Sequence, residues 1–280
     1  MNKFIVSSWR CYTPFGREFY QPMEDYFLSS LGKYRDEFDR LYIIDSQWEV
    51  GKIPDWVTVV RTNPNKRYYE TYKEIVPSLP EGAVLFLDND MVIYKKGIIS
   101  TIFSHLENHD IVSIYDTIGE KKYEELGGQS KFCPYLFASR VKTLLPFLDC
   151  EWGPVPWGET LSELTDRILK AGLKPYEMEE DKSNFLFGEE LGNKKSRDLG
   201  YYHIRAGSTP AYLLSHRKRG DSQYKDWLKN QPKSEYLRQF AWYWIIGGSQ
   251  FMNKDLVEEL GIGYPDWLKY VESFRKYYGL

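Results

Sequence analysis

The segment Ala83-Val84-Leu85-Phe86-Leu87-Asp88-Asn89-Asp90 constrains this chain more than any other. Its five successive apolar residues, without alternation, predict a strand covered on both faces and therefore central in a largely parallel sheet. The strand breaks off into two carboxylates separated by a single Asn. In open α/β sheets the ligand crevice lies outside the carboxyl ends of the strands, so these acids stand where a ligand is expected. All three polar residues also favour turns, and Asp-x-Asp alone is a common solvated turn. The buried strand in front of it is what favours the functional reading.

The flanking sequence agrees with an α/β fold. Short apolar runs at Phe4–Ser8, Leu41–Asp45, Val57–Arg61 and Ile111–Tyr115 read as further strands. Helical patterns lie between them at about Arg17–Leu31, Lys66–Val76 and Gly97–Leu106. In the last, Ile98, Ile99, Ile102, Phe103 and Leu106 form one apolar stripe. Beyond residue 120 the pattern loosens. Gly127-Gly128, the Cys133-Pro134-Tyr135 segment and Glu151–Pro156 read as loops, Leu161–Ala171 as a helix ended by Gly172, and Tyr201–Ile204 as a short strand. The expected organisation is a catalytic domain over residues 1–208 and a helical, aromatic-rich extension over 209–280.

Composition narrows the partners. Thirty-seven Lys+Arg against 40 Asp+Glu leave a net charge of −3, which gives no sequence-independent attraction to nucleic acid. The mean hydropathy is −0.54 and the C-terminal apolar run Ala241–Ile246 falls far short of the roughly 20 residues of a spanning helix, so no integral membrane protein is expected. Peripheral membrane association through the basic, aromatic C-terminal region, which includes His216-Arg217-Lys218-Arg219, stays open. Met1-Asn2-Lys3 runs straight into a strand-like segment without the apolar core of a signal peptide. Three irregularly spaced cysteines, Cys11, Cys133 and Cys150, fit a reducing compartment, and a cytoplasmic location is expected.

Carboxylate oxygens are hard ligands suited to Mg²⁺ or Mn²⁺, and a cation bridging two phosphates is a common way to bind a diphosphate. With three βα units in front of it, the strand–Asp-x-Asp element resembles the nucleotide-sugar-dependent glycosyltransferases of the GT-A fold, over residues 3–208. The resemblance implies a Rossmann-like, mostly parallel sheet flanked by helices, and a nucleotide diphosphate sugar as donor. It implies Asp90 as direct metal ligand and Asp88 at the ribose or in the metal shell. His203, late in the domain, matches the third metal ligand such enzymes often supply, and Arg205 and Ser208 match their diphosphate contacts. An imidazole in the shell would favour Mn²⁺ over Mg²⁺. A core histidine is the alternative for His203.

Similar enzymes carry a polar residue after the first strand and an acid after the second, which here are Ser8 and Asp45. Trp9 or Tyr12 would stack on the base. Arg67, in the basic cluster opening the second helix, suits an anion, although a solvated basic turn and a turn acid are the plain readings of Arg67 and Asp45. On the acceptor side, Glu159 at a loop-to-helix junction, followed by Arg167 and Gly172, matches the general base of inverting members, with Glu163 the second candidate. The usual acidic doublet is replaced there by Glu159-Thr160, and either acid could instead serve the helix dipole.

Aromatic residues make up 17% of the chain. Phe86, Phe103 and Phe137 read as core, and Tyr135, Trp152 and Trp157 as walls of an acceptor groove. Trp242, Tyr243, Trp244, Trp267, Tyr277 and Tyr278 read as packing of the extension, onto the domain or onto a second copy as a homo-oligomer. The resulting expectation is a metal-dependent transferase acting on a glycan, lipid-linked or protein hydroxyl. A nucleotidyltransferase of related architecture is the alternative enzyme, although Ser7-Ser8-Trp9-Arg10-Cys11-Tyr12 lacks the glycine-rich basic loop usual there. A non-catalytic glycan-binding scaffold is the alternative outside enzymes.

Overall fold

The computed structural model describes residues 1–9, 17–45, 53–63, 66–115, 132–156, 160–179, 199–203, 209–220 and 222–278. Two compact units result. The first takes in Met1–Arg10, Tyr34–Asn89 and Lys96–Glu180, and the second Cys11–Lys33, Asp90–Lys95 and Asp181–Leu280.

The first unit holds a seven-stranded sheet. Its strands are β1 (Lys3–Trp9), β2 (Arg40–Asp45), β3 (Val57–Arg61), β4 (Ala83–Leu87), β6 (Ile111–Tyr115), β7 (Phe132–Arg140) and β8 (Pro175–Met178). β5 (Met91–Ile93) and β9 (Tyr201–His203) belong to the second unit. The spatial order is β3-β2-β1-β4-β7-β6-β8. β3, β2, β1 and β4 run parallel, as do β6 and β8, and β7 alone runs against its neighbours. The sheet is thus mostly parallel, as the strand pattern implies for an α/β fold.

All five residues of β4 are buried, which accounts for its lack of alternation. Val84 and Phe86 point into one apolar cluster, with Val6 and Ile44 of the neighbouring strands. Over it pack Tyr72 and Ile75 of α2 (Tyr68–Ile75) and Leu164 and Ile168 of the helix Ser162–Lys170. Phe86 stacks on Phe137 at 5.6 Å and meets Trp152 edge-on at 6.1 Å. Burying such a ring stabilises by about 1.5–3 kcal/mol. Leu85 and Leu87 on the opposite face are equally buried. The helix α3 (Ile98–His105) buries Ile99, Ile102 and Phe103, the stripe expected from its spacing.

The segment around Tyr135 departs from expectation. It is not a loop: Phe132–Arg140 form β7, a nine-residue strand between β4 and β6. Two physical features hide it in the sequence. Both faces are buried, so alternation is absent, and Pro134 breaks the run. Pro134 is tolerated because β4 pairs only with residues 136–140, and the register against β6 shifts between Ser113 and Tyr115. At that irregularity Ser113 Oγ accepts the Cys133 N–H at 3.1 Å and donates to Leu136 O at 3.0 Å. Tyr135 and Trp152, expected as groove walls, are core residues; Trp152 donates its indole N–H to Phe147 O at 3.1 Å.

In the second unit, α1 (Gln21–Gly32) carries Ser30, whose hydroxyl donates to Ile93 O of β5 at 3.1 Å. The helices Thr209–Lys218, Gln223–Asn230, Lys233–Ile245, Lys254–Glu259 and Tyr264–Tyr278 bury Trp242, Tyr243, Trp267 and Tyr277. These rings pack the unit, as their helical spacing implies. The Tyr243 hydroxyl donates to Phe19 O at 2.7 Å, and Arg217 grips Glu259 through two bonds of 3.1 and 3.0 Å. No helix among the described residues is long and apolar enough to cross a membrane.

Candidate functional site

In the first unit, the parallel strands β1, β2 and β4 deliver their carboxyl ends to one edge of the sheet. The β1–β4 pairing ends at Val6–Phe86, so Ser8 lies two residues further along β1, and Asp88 directly follows the last residue of β4. Tyr72, one turn into α2, joins them. Its hydroxyl accepts the Ser8 N–H at 3.3 Å and donates to Asp88 Oδ1 at 3.2 Å. The Ser8 hydroxyl lies 3.3 Å from Thr71 Oγ1, and Thr71 in turn donates to Tyr68 O at 2.7 Å. Burial, and after it the Asp88 charge, pushes the Tyr72 phenol well above the ordinary tyrosine range, so Tyr72 remains a proton donor throughout the physiological range. The Asp88 backbone N–H donates to Tyr135 O at 3.2 Å, which prolongs the β4–β7 pairing up to the acid itself.

Sequence reasoning missed Tyr72. At its position on an amphipathic helix it reads as one more core ring, and 2% exposure agrees with that reading as far as the ring goes. Only the phenolic oxygen distinguishes it.

Asp45 is fully buried and paired in register with Arg61 of β3, whose guanidinium binds its Oδ2. A buried carboxylate needs such a counter-charge, since its desolvation costs several kcal/mol. Trp9 does not offer a stacking face. Its ring is fully buried and its indole N–H donates to Ser7 Oγ at 3.0 Å. The reason is the parallel pairing of Trp9 with Asp45, which sets the residue inside the sheet rather than beyond it. Arg67 caps the N-terminus of α2 and is exposed, with its backbone N–H held by the Glu70 carboxylate. Glu163 lies in the first turn of the helix Ser162–Lys170. It accepts the Glu151 N–H at 3.2 Å and pairs with Arg167 at 3.1 Å, and Arg167 also meets Asp149 at 3.0 Å. These are the contacts of a helix-end acid tying down a loop.

In the second unit, Asp90 is a buried acid, 6% exposed, immediately ahead of β5. β5 pairs antiparallel with β9, with Met91 opposite His203, Val92 opposite Tyr202 and Ile93 opposite Tyr201. Asp90 and His203 therefore stand at the same end of this two-stranded ribbon. Gly200, ahead of β9, has a φ of +86° and takes the Tyr94 N–H on its carbonyl at 3.0 Å. A Cβ there would come within 2.8 Å of Lys95, so the turn into β9 favours glycine twice over.

No group of three His, Cys, Asp or Glu side chains that could hold a metal occurs among the described residues. Within the second unit, the carboxylate of Asp90 and the imidazole of His203 are donor types that Mn²⁺ accepts, and backbone pairing sets the two residues at the same end of the β5–β9 ribbon. Tyr12, Trp157, Glu159, Arg205 and Ser208 lie outside the described residues.

No family model and no curated protein matches the chain. Among solved structures, similarity extends to the galactosyltransferase LgtC in complex with donor and acceptor sugar analogues. That likeness is 10% identical, covers 76% of this chain and 95% of the other, and has a TM-score of 0.44. The bifunctional IspDF from Campylobacter jejuni matches at 12% identity over 65% of this chain, with a TM-score of 0.44, and the chain spans only half of its length. A CMP:2-keto-3-deoxy-manno-octonic acid synthetase complexed with CTP matches at 10% over 64% of this chain and 90% of the other, with a TM-score of 0.40. Each is a partial likeness of chain path, at an identity too low to carry an activity across.

Proposed function

We propose that this chain is a divalent-cation-dependent glycosyltransferase, moving a sugar from a nucleotide diphosphate donor to a hydroxyl of a glycan, lipid-linked or protein acceptor. One observation carries the reading: β4, buried along its whole length within a mostly parallel sheet, ends directly at Asp88-Asn89-Asp90.

In this reading Asp90 and His203 would hold Mn²⁺ or Mg²⁺, with Asp88 at the ribose or in the metal shell, and the cation would supply positive charge to offset that of the departing diphosphate. Ser8 and Asp88 bind the nucleoside side of the donor, while Asp45, fully buried against Arg61, fixes the end of β2 next to the strand that carries Ser8. Arg67, Arg205 and Ser208 take the phosphates. The acceptor hydroxyl attacks the anomeric carbon while the bond from that carbon to the diphosphate oxygen breaks, and a carboxylate removes the hydroxyl proton. Glu163 is already tied to Arg167 and the Glu151 N–H, so Glu159 is the stronger candidate for that base. Catalysis resides in residues 1–208, with 209–280 as the extension, and the cysteine usage keeps the cytoplasm as the proposed compartment.

The deciding experiment is a panel of nucleotide sugars scored for nucleoside diphosphate release with and without Mn²⁺. Release that depends on both one donor and the cation is expected. Pyrophosphate release from a nucleoside triphosphate and a sugar phosphate would make the protein a nucleotidyltransferase instead. Absence of both reactions and of any nucleotide-induced thermal stabilisation would leave a scaffold.

A further inference from the structure

We propose that Tyr72 is a positioning residue for Asp88, acting on donor binding through that carboxylate; the proposal rests on the reading of Asp88 as a donor-binding acid. The ring of Tyr72 is held on two sides, by Phe86 at 4.8 Å and by Tyr68 at 5.9 Å. Its apolar role would be met equally by phenylalanine. A phenol at a buried position is tolerated only where its hydroxyl is satisfied, because an unmet buried hydroxyl is costly. Here the hydroxyl is met from two directions, by the Ser8 N–H as donor and by Asp88 Oδ1 as acceptor. Both groups lie beyond the last β1–β4 pair: the Ser8 backbone still pairs with Ile44 of β2 and the Asp88 N–H with Tyr135 O of β7, but no backbone pairing joins β1 to β4 at this level. One turn into α2, a single atom therefore ties the end of β1 to the end of β4.

The consequence is a preorganised acid. A carboxylate in a turn has two soft torsions, and fixing them before the donor arrives removes an ordering cost from binding. A hydrogen bond to a charged acceptor, together with the restored freedom of Asp88, corresponds to about a tenfold change in donor affinity when it is lost.

The test uses Tyr72→Phe, Asp88→Ala and the double variant, in the full chain. The probe is whichever of UDP, GDP, CDP and ADP, with Mn²⁺, most stabilises the wild-type protein. Its dissociation constant is measured by calorimetry, with far-ultraviolet circular dichroism as the check on folding. Tyr72→Phe keeps the ring and is expected to fold, to weaken binding about tenfold, and to weaken it no further once Asp88 has been replaced by alanine. Unchanged binding by Tyr72→Phe overturns the proposal. Equal weakening whether Asp88 is present or replaced also overturns it, since that is the signature of packing. Wild-type affinity in Asp88→Ala alone overturns the underlying reading of Asp88, and Tyr72 with it, which separates the two failures. Where turnover is measurable, the effect of Tyr72→Phe belongs in the donor KM, with kcat close to wild type.

Discussion

Met91 stands opposite His203 in the antiparallel pair of β5 and β9, which sets Asp90 and His203 at one end of the same ribbon. The two positions are 113 residues apart in sequence, and only backbone pairing makes them neighbours. If both serve one cation, their contributions are coupled. Asp90→Ala and His203→Ala should each sharply reduce the Mn²⁺-dependent thermal stabilisation by a nucleoside diphosphate. The double variant should lose little beyond the more damaging single change. Simple addition of the two losses would separate the residues functionally.

Glu37 provides a remote cap. Its buried carboxylate accepts the Gly97 N–H at 2.7 Å and the Ser100 N–H at 2.9 Å, at the first turn of α3. No side chain of the local sequence does this, because the cap position is Gly97, at a φ of +91°. Glu37→Ala strands two amide donors and removes a charge that favours the helix N-terminus. Urea denaturation should show a loss of about 2–3 kcal/mol, and Glu37→Gln a loss of about 1 kcal/mol.

Gly153 lies against Tyr69. A Cβ at 153 would come within 2.5 and 2.8 Å of the Tyr69 ring, far inside van der Waals contact. Gly153→Ala should lower stability by about 1–3 kcal/mol through overpacking. Tyr69→Ala in the same chain should recover most of the added cost, read as a melting temperature above that expected from the two single changes.

His105 confers a pH dependence of defined sign. Its ring stacks on Tyr176 at 3.7 Å and 14°. Burial first, then the neighbouring His109, holds its pKa below the ordinary value of 6.5. The unfolded chain therefore takes up a proton at higher pH than the folded one. The stability from this group is complete above pH 6.5 and is lost as the pH falls through the lower folded value. His105→Phe keeps a stacking ring and removes the titration. The fall in melting temperature between pH 7.5 and pH 5.0 should be smaller in the variant than in the wild-type protein, and an identical fall would remove His105 from the effect.

Much of the sheet was legible in the sequence. Ala83–Leu87, Val57–Arg61 and Ile111–Tyr115 are strands over the residues expected, and Gly172 ends its helix at a φ of +73°. These are local signals: continuous apolar runs report burial on both faces, and a glycine after a helical stripe reports a left-handed residue. The spacing of Asp88 and Asp90 after a buried strand was equally plain.

Partnership was what only the tertiary structure decided. β7 is masked by Pro134 and lacks alternation, yet it lies beside β4 and carries the pairing to Asp88. Trp9 and Trp152 have the composition of ligand platforms and the burial of core. Residues 17–33 group with C-terminal helices some two hundred positions away, through contacts such as Tyr243 to Phe19. Asp45 gains Arg61, and Asp88 gains Tyr72. Hydrophobic periodicity states how deeply a residue is buried. Which polar atom meets which depends on strand order and register, and these arise from long-range pairing that no local pattern encodes.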